Sequence, residues 1–132
     1  MRSTRGILSL VLGMLSASAA AEWTPVVRGN GIYAAFADKA TIRARGANVS
    51  MSGLYDFVKR DYTPDGKGLF STVVLREYDC GARQVRLLSS IDFAGHMGAG
   101  DAVSTSALPG RWESIVEGGV DEAYWKVACG AK

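Results

Sequence analysis

Cys80 and Cys129 are the only cysteines in a chain of 132 residues, and they stand far apart in it. What they do depends on the compartment, and the N-terminus speaks to that. Arg2 and Arg5 precede an apolar run from Ile7 to Leu15, and small residues follow from Ala17 to Ala21. This is the order of a secretory leader, and its apolar part falls well short of the roughly 20 residues needed to cross a bilayer. We expect residues 1–21 to be a signal peptide cut after Ala21, with Ala17-Ser18-Ala19 as a second site two residues earlier. Residues 22–132 then form one exported domain. In an oxidising compartment two lone cysteines pair. Closing a loop of about 50 residues stabilises a fold by roughly 4 kcal/mol in the chain-entropy model, a large share of a small domain's stability.

Export also changes the charge. The whole chain carries a formal +2, but the leader takes two arginines and no acid with it, so the exported domain is neutral. Nucleic-acid binding is not expected of a domain without net positive charge. Lys59-Arg60 and Arg43/Arg45 read as solvated strand ends. No cysteine follows the leader closely enough to carry a lipid, and no later segment is long and apolar enough to span. The expected product is free of membrane spans and anchors, in the periplasm or secreted, with display at the cell surface as a further location.

The hydrophobic period is that of strands until the last element. Trp23–Arg28 and Ile32–Phe36 flank Gly29-Asn30-Gly31, a hairpin signal. Asp38–Ala40 reads as a turn, Thr41–Ala44 as resumed extended chain, and residues 45–48 as a second turn. From Val49 to Lys59, Val49, Met51, Tyr55 and Phe57 alternate with Ser50, Ser52 and Asp56, the two-residue period of a half-buried strand. Gly53 within it suggests a bulge. Thr63-Pro64-Asp65-Gly66 reverses the chain. Phe70–Asp79 and Arg83–Phe93 are further strands joined by Cys80-Gly81-Ala82, and Ala102–Ser106 is an edge strand before a Leu108-Pro109-Gly110 break. With no helical crossover between strands, the sheet is an antiparallel meander.

The period then switches. Val120, Ala123, Tyr124, Val127 and Ala128 mark an amphipathic helix, with Asp121 and Glu122 in its first turn and Gly130 at its end. About ten residues are too few to be helical alone, so this helix must dock on the sheet, where a disulfide to Cys129 would hold it. Cys129 falls at the edge of the apolar stripe, which predicts a loosened last turn or a tilted helix. The fold class is therefore α+β: an antiparallel sheet of about six strands with one C-terminal helix packed on a face and tied by a disulfide.

Catalytic chemistry is hard to assemble. His96 is the only histidine, it lies in a glycine-rich loop, and no nucleophile-elbow pattern accompanies it. Gly98-Ala99-Gly100 and Gly66-Lys67-Gly68 lack the remaining features of nucleotide loops. Glu77 and Asp79 share a strand face at a spacing open to acid/base work, but with Arg76, Arg83 and Arg86 nearby they read as surface ion pairs. We expect no enzyme activity, metal or cofactor. The candidate ligand-contacting residues are His96 and Met97, whose donors suit a soft metal or haem, and Tyr62 and Trp125, amphipathic aromatics at the margin of the core.

Glu22-Trp23, the block Glu77-Tyr78-Asp79-Cys80 with Arg83 and Arg86-Leu87-Leu88-Ser89, Met97-Gly98 with Gly100, Trp112 and Ala128-Cys129 together resemble the surface-adhesin protein E-like domain family. The resemblance spans nearly the whole exported domain. It implies an antiparallel sheet of about six strands carrying a disulfide-tied C-terminal helix, adhesion to a host matrix or envelope protein, and homodimer formation. Three functions follow as expectations: an adhesin-like macromolecule-binding module, a soluble periplasmic inhibitor or chaperone-like factor, and a haem or small-ligand carrier.

Overall fold

The structure, a computed structural model, describes residues 21–107 and 109–130. The expected leader lies outside the described residues except for Ala21, as does Leu108 of the expected break. Six strands run antiparallel in sequence order: β1 (Thr24–Val27), β2 (Tyr33–Arg45), β3 (Asn48–Tyr62), β4 (Gly68–Asp79), β5 (Gln84–Phe93) and β6 (Ala102–Ser106). A two-residue strand, β7 (Glu113–Ser114), pairs with β5 at Val85 and Gln84. The last described element is α1 (Val120–Gly130). This is the expected meander and helix.

Side chains alternate across a strand, so the register assigns each face. On one face Thr24, Ala37, Gly53, Val74, Ser90 and Ser106 align across all six main strands. These are small residues, and α1 packs over this face: Tyr124 and Ala128, both fully buried, meet Ala35, Ala37, Met51 and Tyr78 in the core. The neighbouring row on the opposite face is Pro25, Phe36, Leu54, Val73, Ile91 and Thr105. No helix covers it.

Cys80 and Cys129 are joined, with their Cα atoms 5.7 Å apart, so the helix end is fixed to the β4–β5 turn. The last turn does not loosen. The helix runs through Cys129 to Gly130, and Cys129 packs at the margin of the core cluster. At its start, the Glu122 carboxylate accepts from Gly118 N–H and pairs with Arg83 at 2.6 Å, satisfying an end that otherwise carries orphan donors.

Three local readings need correction. Asp38–Ala40 is not a turn between strands but an irregularity inside the single long β2, where pairing to β3 jumps from Asp38 to Arg43. The turn chemistry is real yet local: Asp38 accepts from Ala40 N–H, while Thr41 Oγ1 donates to Asp38 O and accepts from Ser52 N–H. Gly53 is not a bulge. It pairs regularly with Ala37 and Val74, and it is glycine because a Cβ there would stand 2.8 Å from Tyr124 Cε1. The irregularity in β3 comes later, where pairing passes from Asp56–Ser71 to Asp61–Leu69, so residues 57–60 bulge opposite Phe70. β3 and β4 also extend further than the alternating pattern indicated.

Candidate binding surface

The helix side is closed chemistry. Arg76 is held in a cage of tyrosines: its Nη1 donates to Tyr55 Oη at 2.6 Å, and its guanidinium lies 5.3 Å from the Tyr55 ring and 5.9 Å from that of Tyr124. Asp121 pairs with it at 3.5 Å from the first turn of α1. Burial alone would lower the Arg76 pKa, but the oxygens of Tyr55, Tyr78 and Asp121 more than offset that and hold it above its ordinary value. Burial raises the phenols of Tyr78, Tyr124 and Tyr55, so they remain neutral donors at physiological pH. Tyr124 Oη donates to Leu54 O at 3.1 Å. These groups are committed to docking the helix.

Trp125 belongs to the same economy of contacts. Its Nε1 donates to Asp79 O at 3.2 Å, and Arg83 lies 4.6 Å over its ring. Both its polar edge and one π-face are engaged within the chain.

The opposite face is different at each end and in the middle. At one end the loop after β5 folds back across the sheet as a single 3-10 turn, His96–Gly98, with Met97 in the left-handed region at φ 56°. Ser71, fully buried, anchors it: Ser71 Oγ donates to Gly95 O at 2.6 Å and accepts from Gly98 N–H at 2.8 Å. Asp56 Oδ1 accepts from Met97 N–H at 2.8 Å and lies 3.1 Å from His96 Nδ1. The His96 ring stacks 4.3 Å from Phe70, which also carries Arg60 at 5.3 Å. Tyr62, 61% exposed, stands at the same end of the sheet, opposite Gly68. His96, Met97 and Tyr62 are thus placed at one end, while Trp125 sits on the helix across the sheet. Beside the bulge, Gly31, Ile32, Phe57, Lys59, Arg60 and Asp61 line an open cavity of about 380 Å³. Among the described residues, no group of three or more His, Cys, Asp or Glu is placed to hold a metal.

The middle is the apolar row. Leu54 is fully buried beneath the loop, whereas Phe36 and Val73 are half-buried and Ile91 is 36% exposed. The far end is ionic. Glu77, its side chain only 6% exposed, accepts from Arg86 Nε at 3.0 Å, Arg86 Nη2 at 2.7 Å and Asn48 Nδ2 at 2.9 Å, with Arg45 Nε at 3.5 Å. Burial would raise its pKa, but the bonds from Asn48 and Arg86 and the charges of Arg86 and Arg45 prevail and hold it below the usual carboxylate range. Glu77 is ion-paired as expected, though mostly buried on the acid's side rather than superficial, whereas Asp79 makes no ion pair among the described residues and instead accepts from Gly81 and Ala82 N–H. The Glu77 cluster escapes sequence reasoning because its partners lie on other strands, and the anchors Asp56 and Ser71 because theirs lie in the loop after β5.

The architecture defines a class: a one-sheet α+β domain with a disulfide-tied helix sealing one face and the other face left open. The chain belongs to the surface-adhesin protein E family, whose model matches residues 23–130. Solved structures of Haemophilus influenzae protein E share the fold. One crystal form aligns with TM-score 0.68 at 11% identity, covering 85% of this chain and 90% of that one. A second structure of the same protein gives TM-score 0.67 at 12% identity, covering 85% and 86%. A third, from a non-typeable strain, gives 0.65 at 11%, covering 86% and 79%. No curated protein sequence matches significantly. The family is one of surface adhesins; no described helix is long and apolar enough to cross a membrane.

Proposed function

We propose that this chain is a non-enzymatic exported protein, led by residues 1–21, that binds a protein partner through the helix-free face of its sheet. The observation that carries the reading is the row Pro25–Phe36–Leu54–Val73–Ile91–Thr105, which crosses all six main strands. The row is covered at Leu54 by the loop after β5 but is partly exposed at Phe36, Val73 and Ile91, and apolar side chains exposed on a sheet are the kind of surface that partners cover. Family membership supports adhesion as the purpose. A host matrix or envelope protein, or a second copy of the chain, is the occupant such a face suits. His96, Met97 and Tyr62 flank the strip at one end and extend the contact area.

Saturable binding of the purified protein to immobilised matrix proteins or envelope extract at micromolar concentration is the expected result. Absence of binding to both rejects the reading. Protease added to intact cells separates the locations: cleavage of the protein supports surface adhesion, and full protection assigns it to work between the membranes.

A further inference from the structure

On the helix-free face, Arg43 of β2, Ser50 of β3, Glu77 of β4 and Arg86 of β5 are consecutive register partners, and Arg45 lies two pairs along, on the same face, opposite Asn48. Three inter-strand steps of about 4.8 Å make this band roughly 14 Å long at the backbone. Its charge is unbalanced. One carboxylate, Glu77, sits between three guanidiniums, and it is buried beneath them while Arg45 and Arg86 remain 49% and 29% exposed. Among the described residues Arg43 has no carboxylate partner; its Nη1 donates to Ala40 O at 2.8 Å and Ile42 O at 2.9 Å, which fixes its direction. Other strand acids of this face are turned to local duty: Asp38 accepts from Ala40 N–H, Asp79 from Gly81 and Ala82 N–H, and Asp56, at the opposite end, from Met97 N–H.

The band continues past β5, where Trp112 packs 4.8 Å from Arg86. Beyond it Arg86 borders a cavity of about 320 Å³ shared with the helix side, where Glu113 and Asp121 offset the charges of Arg76 and Arg111, so the unbalanced part of the band is Arg43, Arg45 and Arg86. Held guanidiniums present fixed forks of donors suited to sulfate and carboxylate oxygens, at less entropic loss than free lysines.

We propose that this arginine band binds a sulfated polysaccharide chain lying across the strands. A band of that length exceeds what a single anion needs and fits a linear polyanion with repeated charges. Trp112 has one face taken by Arg86, and the band carries no row of aromatics of the kind on which successive nucleic-acid bases stack. This goes beyond the protein-binding reading and occupies a different part of the face, so either can fail alone.

The test is heparin affinity of the purified full-length protein, with desulfated heparin, duplex DNA and anionic phospholipid vesicles as competing arms. Wild type is expected to bind heparin at about 0.15 M salt. Arg43→Gln/Arg45→Gln is expected to weaken binding roughly tenfold and flatten its salt dependence. Arg28→Gln/Lys67→Gln, with the same charge change at the other end of the sheet, should bind as wild type, and unchanged melting curves confirm that all variants fold. Equal loss in both double variants, equal binding of desulfated heparin, or equal or tighter binding of DNA or vesicles would each overturn the proposal, as would no binding at all.

Discussion

Gly53 and Tyr124 are in steric register: the ring of the helix residue occupies the space a side chain on the strand residue would need, 2.8 Å from an ideal Cβ. The same tyrosine donates to the carbonyl of Leu54, the next residue along β3. One aromatic therefore sets both the distance and the azimuth of α1 on the sheet. Gly53→Ala is expected to destabilise the protein by about 1–3 kcal/mol through overpacking. Tyr124→Phe should cost about 1 kcal/mol, because the Leu54 carbonyl loses its donor. Chemical denaturation of both variants measures this order, and a neutral Gly53→Ala would show that the ring moves freely.

Cys80–Cys129 closes a loop with 49 residues of sequence separation around the helix. Cys129→Ala is expected to lower stability by about 2–5 kcal/mol and to speed hydrogen exchange in α1 before it does so in β3 and β4. An unchanged melting curve would contradict this.

Glu77 gives the stability a pH dependence of known sign. Its folded pKa lies below the ordinary value of 4.5, so its contribution is fully present above that value and disappears as pH falls through the folded pKa. Stability should therefore decline below about pH 4.5, and Glu77→Gln should flatten that limb while costing about 1–3 kcal/mol at neutral pH. Urea denaturation from pH 3 to pH 7, on the order of one-unit steps, reads both effects.

Ser71 holds the His96 loop with both functions of one hydroxyl. Ser71→Ala leaves Gly98 N–H and Gly95 O without that partner, at an expected cost of about 1–3 kcal/mol. Faster exchange confined to residues 94–101 is the expected signature; uniform change across the sheet would assign Ser71 to the core instead.

Much of this was legible because its physics is local. The helix announced itself by a change of period from two to 3.6, and the β3–β4 reversal by Thr63-Pro64-Asp65-Gly66, whose Gly66 N–H and Thr63 N–H close the turn as such residues do. What escaped was decided across strands. Gly53 looked like a bulge because a strand glycine has two explanations, and only Tyr124, 71 residues later in the chain, selects close approach. Leu54 is buried on the other side of the sheet by a loop from after β5, a contact that strand alternation alone does not announce. The arginine band joins positions 43, 45 and 86 around 77, a grouping no linear spacing announces.

The central claim is that the helix-free face is the binding surface, and a single exposed side chain in its apolar row tests it. Ile91→Glu changes that row where Ile91 is already 36% exposed, and Val116→Glu makes the same change at a 72% exposed position outside the sheet. Binding isotherms on immobilised matrix protein and envelope extract should show Ile91→Glu at least about tenfold weaker, about 1.4 kcal/mol, with Val116→Glu equal to wild type. Equal affinity of a correctly folded Ile91→Glu variant would place the partner elsewhere and contradict the account.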